Sequence, residues 1–165
     1  MRWSEIADAA CPLARTLAVV GDRWTMLIVR EAFFGMRRYE DFQRYTGAAP
    51  KLLADRLARL VEEGVLERRR YQDRPPRHEY RLTAKGLDLY PALIALSRWG
   101  DRWLGEGFPP AVRAVHKPCG RRLKPQTICA ACGEPLSAHD VDATIEPHYA
   151  AERARLAAAA DRSRK

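Results

Sequence analysis

Between Tyr39 and Gly64 two short apolar stripes of helical period meet at a glycine, and that junction constrains the fold more than any other stretch. Tyr39, Phe42 and Tyr45 recur every three residues and stop at Gly47. Pro50 then opens a second run, in which Leu53, Leu57, Leu60 and Val61 make one stripe closed by Gly64. Neither run is long enough to stand as an isolated helix, so each must bury its stripe against the other and a common core. Two short helices joined by a tight glycine-containing turn form a helix-turn-helix. Upstream, Pro12 suits the first position of a helix running from Leu13 to Val20 and ending at Gly21. Asp22 is placed to cap a second, whose Trp24, Leu27, Ile28 and Ala32 share a face before Gly35 stops it.

Downstream the period changes. Val65 to Tyr71 and Arg77 to Leu82 read as strands, separated by Gln72-Asp73-Arg74-Pro75-Pro76. Proline cannot donate a ladder hydrogen bond, so this pair belongs at a hairpin tip. One long helix is then expected from the cap Thr83 to about Leu104. Leu89, Leu93, Leu96, Trp99 and Trp103 line one side of it, and Leu87, Tyr90 and Ile94 widen the stripe. That face exceeds what one domain's core needs, and a second copy of the chain is the simplest cover. This order predicts a mainly α fold with a β-hairpin wing (α+β), a winged helix-turn-helix with a small zinc-knuckle or ribbon-like C-terminal module. Composition divides the chain into 11–104 for the winged domain, 105–114 as a linker, 115–146 as the cysteine-rich module and 147–165 as a flexible or weakly helical tail.

The charge is uneven. Lys and Arg number 29 against 21 Asp and Glu, a net of +8. Between Arg37 and Lys85 the count is 13 basic to 8 acidic, whereas residues 1–36 and 86–104 together balance at 6 and 6. The excess therefore sits on the helix-turn-helix and hairpin, where a surface for DNA phosphates would lie. With Leu53, Leu57 and Leu60 inward, Lys51, Asp55 and Arg59 point outward and Arg56 lies on the flank. Lys51 and Asp55 are candidates for base edges, and Arg56 and Arg59 for phosphate or guanine. Arg38 joins this DNA-binding set, and Arg74 and Arg77 bracket a hairpin tip that could enter a minor groove. Arg59 also has an ordinary i,i+4 partner in Glu63. Arg68, Arg69 and Arg70 alternate between strand faces and cannot all meet one surface.

No P-loop, dinucleotide fingerprint or nucleophile elbow is present, so no catalytic residues are expected. No apolar run approaches the roughly 20 residues of a membrane span. Charges interrupt the N-terminal apolar residues too often for a signal peptide, and a cytoplasmic protein without a membrane partner is expected. In that reducing compartment cysteines point to metal or redox chemistry. His116-x2-Cys119-Gly120 and Cys129-x2-Cys132-Gly133 are two knuckle-like pairs nine residues apart. Three thiolates and an imidazole in this spacing suit tetrahedral structural Zn²⁺, with His139 or a water as a substitute for His116. The other reading of Cys129-Ala-Ala-Cys132 is a thiol oxidoreductase, for which the βαβ context is missing.

The runs CPLARTLAVVGDRWTMLIVREAFFGMRRYEDF and LLADRLARLVEEGVLERRRYQDRPPRHEYRLTAKG, followed by WGDRW, resemble the HxlR family of winged-helix transcriptional regulators, which are MarR-like. The resemblance extends into HKPCG…CAACGEPL, a tail shared by longer members. It implies a cytoplasmic homodimer, a repressor by family habit, binding a pseudo-palindromic operator of double-stranded DNA. The helix from Pro50 to Glu63 would lie in the major groove and the 72–77 hairpin would be the wing. Ala48-Ala49 and Lys51 depart from the common pattern in the reading segment, so the operator sequence does not transfer. Some members sense oxidants through a cysteine where Cys11 stands. A thiol at a helix N-terminus gains thiolate character, yet Ala10 and Pro12 around it favour a packing residue. Small-molecule or oxidant effectors are thus implied, and Trp24, Leu93 and Trp99 are candidate pocket residues. A winged-helix protein-interaction module is the alternative to a DNA-binding one.

Overall fold

The computed structural model describes residues 7–109 and 111–162. Pro110, within the expected linker, and residues 163–165 of the expected tail lie outside the described residues. The chain divides into two compact units, one running to Tyr90 and resuming at Ile145, the other spanning Pro91–Thr144. These boundaries differ from those drawn from composition.

In the first unit α1 (Pro12–Val20) begins on its proline and closes at Gly21. Asp22 caps α2 (Arg23–Phe33), accepting from the Trp24 and Thr25 N–H groups at 3.0 and 3.2 Å. The helix-turn-helix is α3 (Tyr39–Thr46) and α4 (Pro50–Glu62). Its turn needs Gly47, which takes the left-handed conformation at φ 69°. Ala48 is buried behind it, and the Tyr39 hydroxyl donates to the Pro50 carbonyl at 2.8 Å, tying the head of α3 to the head of α4. Phe42, Ile28, Leu53 and Leu57 are fully buried and anchor one core with Val29, Leu60, Val65 and Leu66. Tyr45, expected on the α3 stripe, is 53% exposed. Each step of three residues falls about 60° short of a turn, so the third aromatic rotates away from the core.

β1 (Leu66–Gln72) and β2 (Arg77–Leu82) pair antiparallel, with Leu66 opposite Leu82 and Arg68 opposite Tyr80. A bulge between Arg70 and Gln72 leaves Tyr71 unpaired, and residues 73–76 form the tip. The hairpin is held to the core by Tyr80, whose N–H donates to the Arg37 carbonyl at 2.7 Å and whose ring meets Phe42 edge-on.

The single long helix expected after Thr83 is two helices. Thr83 caps α5 (Ala84–Leu87), and α6 (Tyr90–Trp103) starts afresh after a turn at Asp88 and Leu89. Gly86, inside α5, packs so closely that a Cβ there would stand 2.2 Å from the Val65 carbonyl oxygen. The break itself follows from Pro91. Pro91 has no N–H to continue the α5 ladder and fits only a first turn.

In the second unit α6 buries none of its residues. It is followed by a hairpin of β3 (Val115–His116) and β4 (Arg121–Arg122) and by a bridge between Ile128 and Pro135. The chain then returns to the first unit as α7 (Pro147–Arg162), the stretch expected as a flexible or weakly helical tail. Among the described residues, no helix is long and apolar enough to cross a membrane.

Burial favours a neutral Asp22, but the Thr25 hydroxyl, the two capping N–H groups and Arg56 outweigh it and hold the carboxyl below its ordinary range. Asp22→Ala is expected to lower unfolding stability by about 1–2 kcal/mol at neutral pH, the usual loss for an N-cap. A depressed folded pKa stabilises above the unfolded value and is lost as pH falls through the folded one. Denaturation curves of wild type and variant should therefore converge in acid. Coincident curves at neutral pH would show that the cap contributes nothing.

Candidate nucleic-acid interface

The basic residues of the first unit fall into two groups according to what their side chains already hold. Arg56, on the flank of α4, places Nε 3.1 Å from Asp22 Oδ2, and both side chains are largely shielded. Arg59 donates to the Ala18 carbonyl near the end of α1, not to Glu63. These two arginines therefore join α4 to α1 and to the cap of α2. In the hairpin, Arg69 pairs with Glu67 at 2.7 Å, Arg81 with Glu79 at 2.7 Å and Arg70 with Asp73 at 3.1 Å. Arg68 lies 3.0 Å from His78 Nδ1. Desolvation and then the Arg68 and Arg70 charges hold the His78 pKa below its ordinary value, so the neutral ring is the natural acceptor.

A second group is uncommitted. Lys51 on the first turn of α4, Arg74 at the hairpin tip and Arg77 at the start of β2 are exposed, with no side-chain partner among the described residues. Arg37 and Arg44, which sequence reasoning passed over, are in the same state. Their exposure follows from Phe42 and Tyr80 being the residues turned to the core, a contact between α3 and β2 that no local pattern announces. Arg38 stacks over the Tyr71 ring at 5.2 Å, linking the entry of α3 to the bulged strand. Asp55 is exposed on α4. Free cations thus lie on the helix-turn-helix (Arg37, Arg44 and Lys51) and at the wing tip (Arg74 and Arg77), while Arg69, Arg70 and Arg81 of the strands have acidic neighbours. A surface arranged so suits contact with a polyanion at two separated points.

Cys11 is half-buried at the start of α1. The Ala14 N–H, the Tyr149 hydroxyl and the Leu13 N–H draw its thiol pKa below the ordinary value, against desolvation and the Glu152 carboxylate. Glu152 itself accepts the Ala10 N–H at 2.7 Å. Tyr149 and Glu152 are the half-buried residues of α7, so the chain's end docks at the cysteine.

In the second unit both cysteine-rich turns are formed. His116 Nδ1 is 3.3 Å from Cys119 Sγ, and the Cys119 and Gly120 N–H groups donate to the His116 carbonyl. The Cys132 and Ala131 N–H groups reach the Cys129 sulfur, and the Gly133 N–H reaches the Cys129 carbonyl. Among the described residues, no three potential ligands stand together as a metal site, so the two pairs are not joined. His139 is exposed. Of the expected pocket residues, Trp24 packs half-buried against the core under Arg23, whereas in the second unit Leu93 is half-buried and Trp99 is 58% exposed.

Comparison with known proteins is consistent with this arrangement. The HxlR-like helix-turn-helix family matches residues 19–108. The uncharacterized HTH-type transcriptional regulator Rv3095 of Mycobacterium tuberculosis is 42% identical over 142 residues, which span 86% of this chain and 90% of the relative. Among solved structures, PA1607, for which a transcription-factor role is proposed, superposes with a TM-score of 0.73 at 39% identity, covering 87% of this chain and 99% of that one. The redox regulator HypR, in its reduced form, gives a TM-score of 0.54 at 29% identity over 59% of this chain and all of its own.

Lys51→Ala and Arg74→Ala should each weaken binding to duplex DNA and make the slope of log K against log salt shallower by about one unit. Arg56→Ala should instead lower the denaturation midpoint and leave the salt slope as it is. A variant set in which Arg56→Ala changes the slope and the other two do not would reverse the sorting.

Proposed function

The chain belongs to the HxlR-like helix-turn-helix family and is a DNA-binding transcriptional regulator, not an enzyme; from that premise we propose that it is a cytoplasmic homodimeric repressor of a pseudo-palindromic operator. The observation that carries this reading is the segregation of unpaired cations to the head of α4 and the wing tip. In a dimer the two copies of α4 would enter successive major grooves about 34–36 Å apart. Lys51 is the residue placed to reach base edges, and Arg74 and Arg77 are placed for the adjoining minor groove and phosphates. Arg56 and Arg59 would act by fixing the angle of α4. A second copy would cover the apolar residues left open on α1 and α6: Leu13 is 65% exposed, Leu96 58% and Trp103 62%.

Effector control through Cys11 is part of the same proposal. HypR is a redox regulator, and in this chain the Cys11 thiol sits at a helix N-terminus with Tyr149 bonded to it. The second unit we read as a zinc-stapled module. Its donor set is right for Zn²⁺, and each knuckle already has the N–H pattern that supports a bound thiolate or carbonyl turn. His116, Cys119, Cys129 and Cys132 would hold the ion, whose role would be structural. Drawing the two pairs together is what the metal would contribute, because ligands seldom converge before the ion binds.

Fluorescence anisotropy with the DNA upstream of the protein's own gene tests the central reading. A preference of roughly 10³-fold over scrambled duplex, with a Kd near 10⁻⁸ M or tighter, is expected. Weak binding without preference would favour a protein-interaction module. In the same titration, peroxide should release wild-type protein and leave Cys11→Ser bound; release of both would remove Cys11 from control. Elemental analysis of protein purified without chelator should find about one zinc per chain, lost in Cys129→Ser. A metal-free wild type would end the zinc reading.

A further inference from the structure

Beside α1 in the first unit is a cavity of about 330 Å³, walled by Val19, Val20, Val65 and Leu89, with Arg15 and Lys85 among its lining. Its size is within the range of small-molecule sites, about 300–1,000 Å³. No Asp or Glu lines it. The surface is thus apolar with two cations and no counter-charge. Both cations have donors to spare: Arg15 uses only Nη1, on the Ala9 and Ala10 carbonyls at 2.6 and 2.8 Å, and Lys85 makes one bond, to the Glu63 carbonyl at 2.6 Å.

Those bonds tie the cavity to α4 from two sides. Glu63 is the C-cap of α4, so Lys85 satisfies a terminal carbonyl of that helix. Val19 and Val20 follow Ala18, whose carbonyl holds Arg59 of α4. Val65 immediately precedes β1. Anything seated here touches the supports of both DNA-facing elements.

We propose that this cavity binds a small amphipathic carboxylate, its apolar body against Val19, Val20, Val65 and Leu89 and its carboxylate on Arg15 and Lys85. The carboxylate gives each cation a charge-assisted bond that a neutral ligand cannot supply. Drawing Lys85 inward loosens its hold on Glu63 and with it the last turn of α4. Occupancy is thereby coupled to the angle of the reading helix. The coupling rests on the DNA-binding reading; the binding site does not.

The probe is 2-naphthoate, followed by its fluorescence with full-length protein and no DNA, against naphthalene-2-carboxamide as the neutral isostere. The acid should bind about tenfold or more tightly than the amide. Lys85→Met should abolish that preference, and Val19→Trp, which fills the cavity, should abolish binding of both. Should Lys85→Met lose its melting transition, Arg15→Met serves the same comparison. Equal affinity for acid and amide, no binding of either, or a preference that survives both methionine variants overturns the proposal. So does a Thr16→Cys thiol that a second copy of the chain protects from maleimide and naphthoate does not, because the space then belongs to an interface between copies. Since DNA is absent, failure here leaves the regulator reading standing, and loss of operator binding leaves this site standing.

Discussion

Asp22 is the residue on which the rest of the reading head depends. Its carboxylate closes the start of α2 through the Trp24 and Thr25 N–H groups and stands 3.1 Å from Arg56 on α4. One anion thus serves a helix cap and an ion pair that bridges to another helix. The second tie, from Arg59 to the Ala18 carbonyl, reaches the same corner of the fold from one turn further along α4. Two long side chains on adjacent turns, both anchored at the α1–α2 junction, restrict rotation of α4 about its own axis as well as tilt. The buried stripe of Leu53, Leu57 and Leu60 fixes which face is inward but is apolar and tolerant of small slides. Directional bonds supply what the apolar contact leaves loose.

That division of labour explains the charge pattern. The thirteen basic residues of 37–85, on the helix-turn-helix, the hairpin and α5, could all have been presented to solvent. Instead Glu67, Glu79 and Asp73 each sit beside an arginine of the hairpin, and Asp22 takes Arg56. Exposed pairs of this kind add little stability. Their larger effect is on the field: local neutralisation along the strands leaves net positive charge at the tip and at the head of α4. A polyanion then meets two defined points and not a uniformly basic wall.

Much of this was legible in the residues because the chain punctuates itself. Pro12, Asp22, Gly47, Pro50 and Gly64 each stand at a boundary that the structure keeps, and the hairpin tip follows from Pro75 and Pro76. These signals are local. What was not legible is long-range. By helical wheel Arg59 points outward and Arg56 lies on the flank, and only the placing of α1 and Asp22 beside α4 gives the two their partners. The need for glycine at position 86 was not legible because its reason is a carbonyl of Val65, which is distant in sequence. Tyr149 and Glu152 look like ordinary residues of an alanine-rich tail until α7 folds back onto Ala10 and Cys11. The candidate trio Trp24, Leu93 and Trp99 was drawn from two helices as apolar residues facing a cleft between subunits, and the structure puts Trp24 in the first unit and Leu93 and Trp99 in the second.

α1 is the element on which the two proposed controls would converge. Its first turn carries Cys11 and receives α7, its last turns line the cavity, and its Ala18 carbonyl holds Arg59. Its outer residues Leu13 and Leu17 remain open, the ordinary mark of a covered face. Under the two proposals, a change at the cysteine and a ligand in the cavity would both reach α4 through the Ala18 carbonyl that holds Arg59, so a covalent and a bound signal would need no separate pathways.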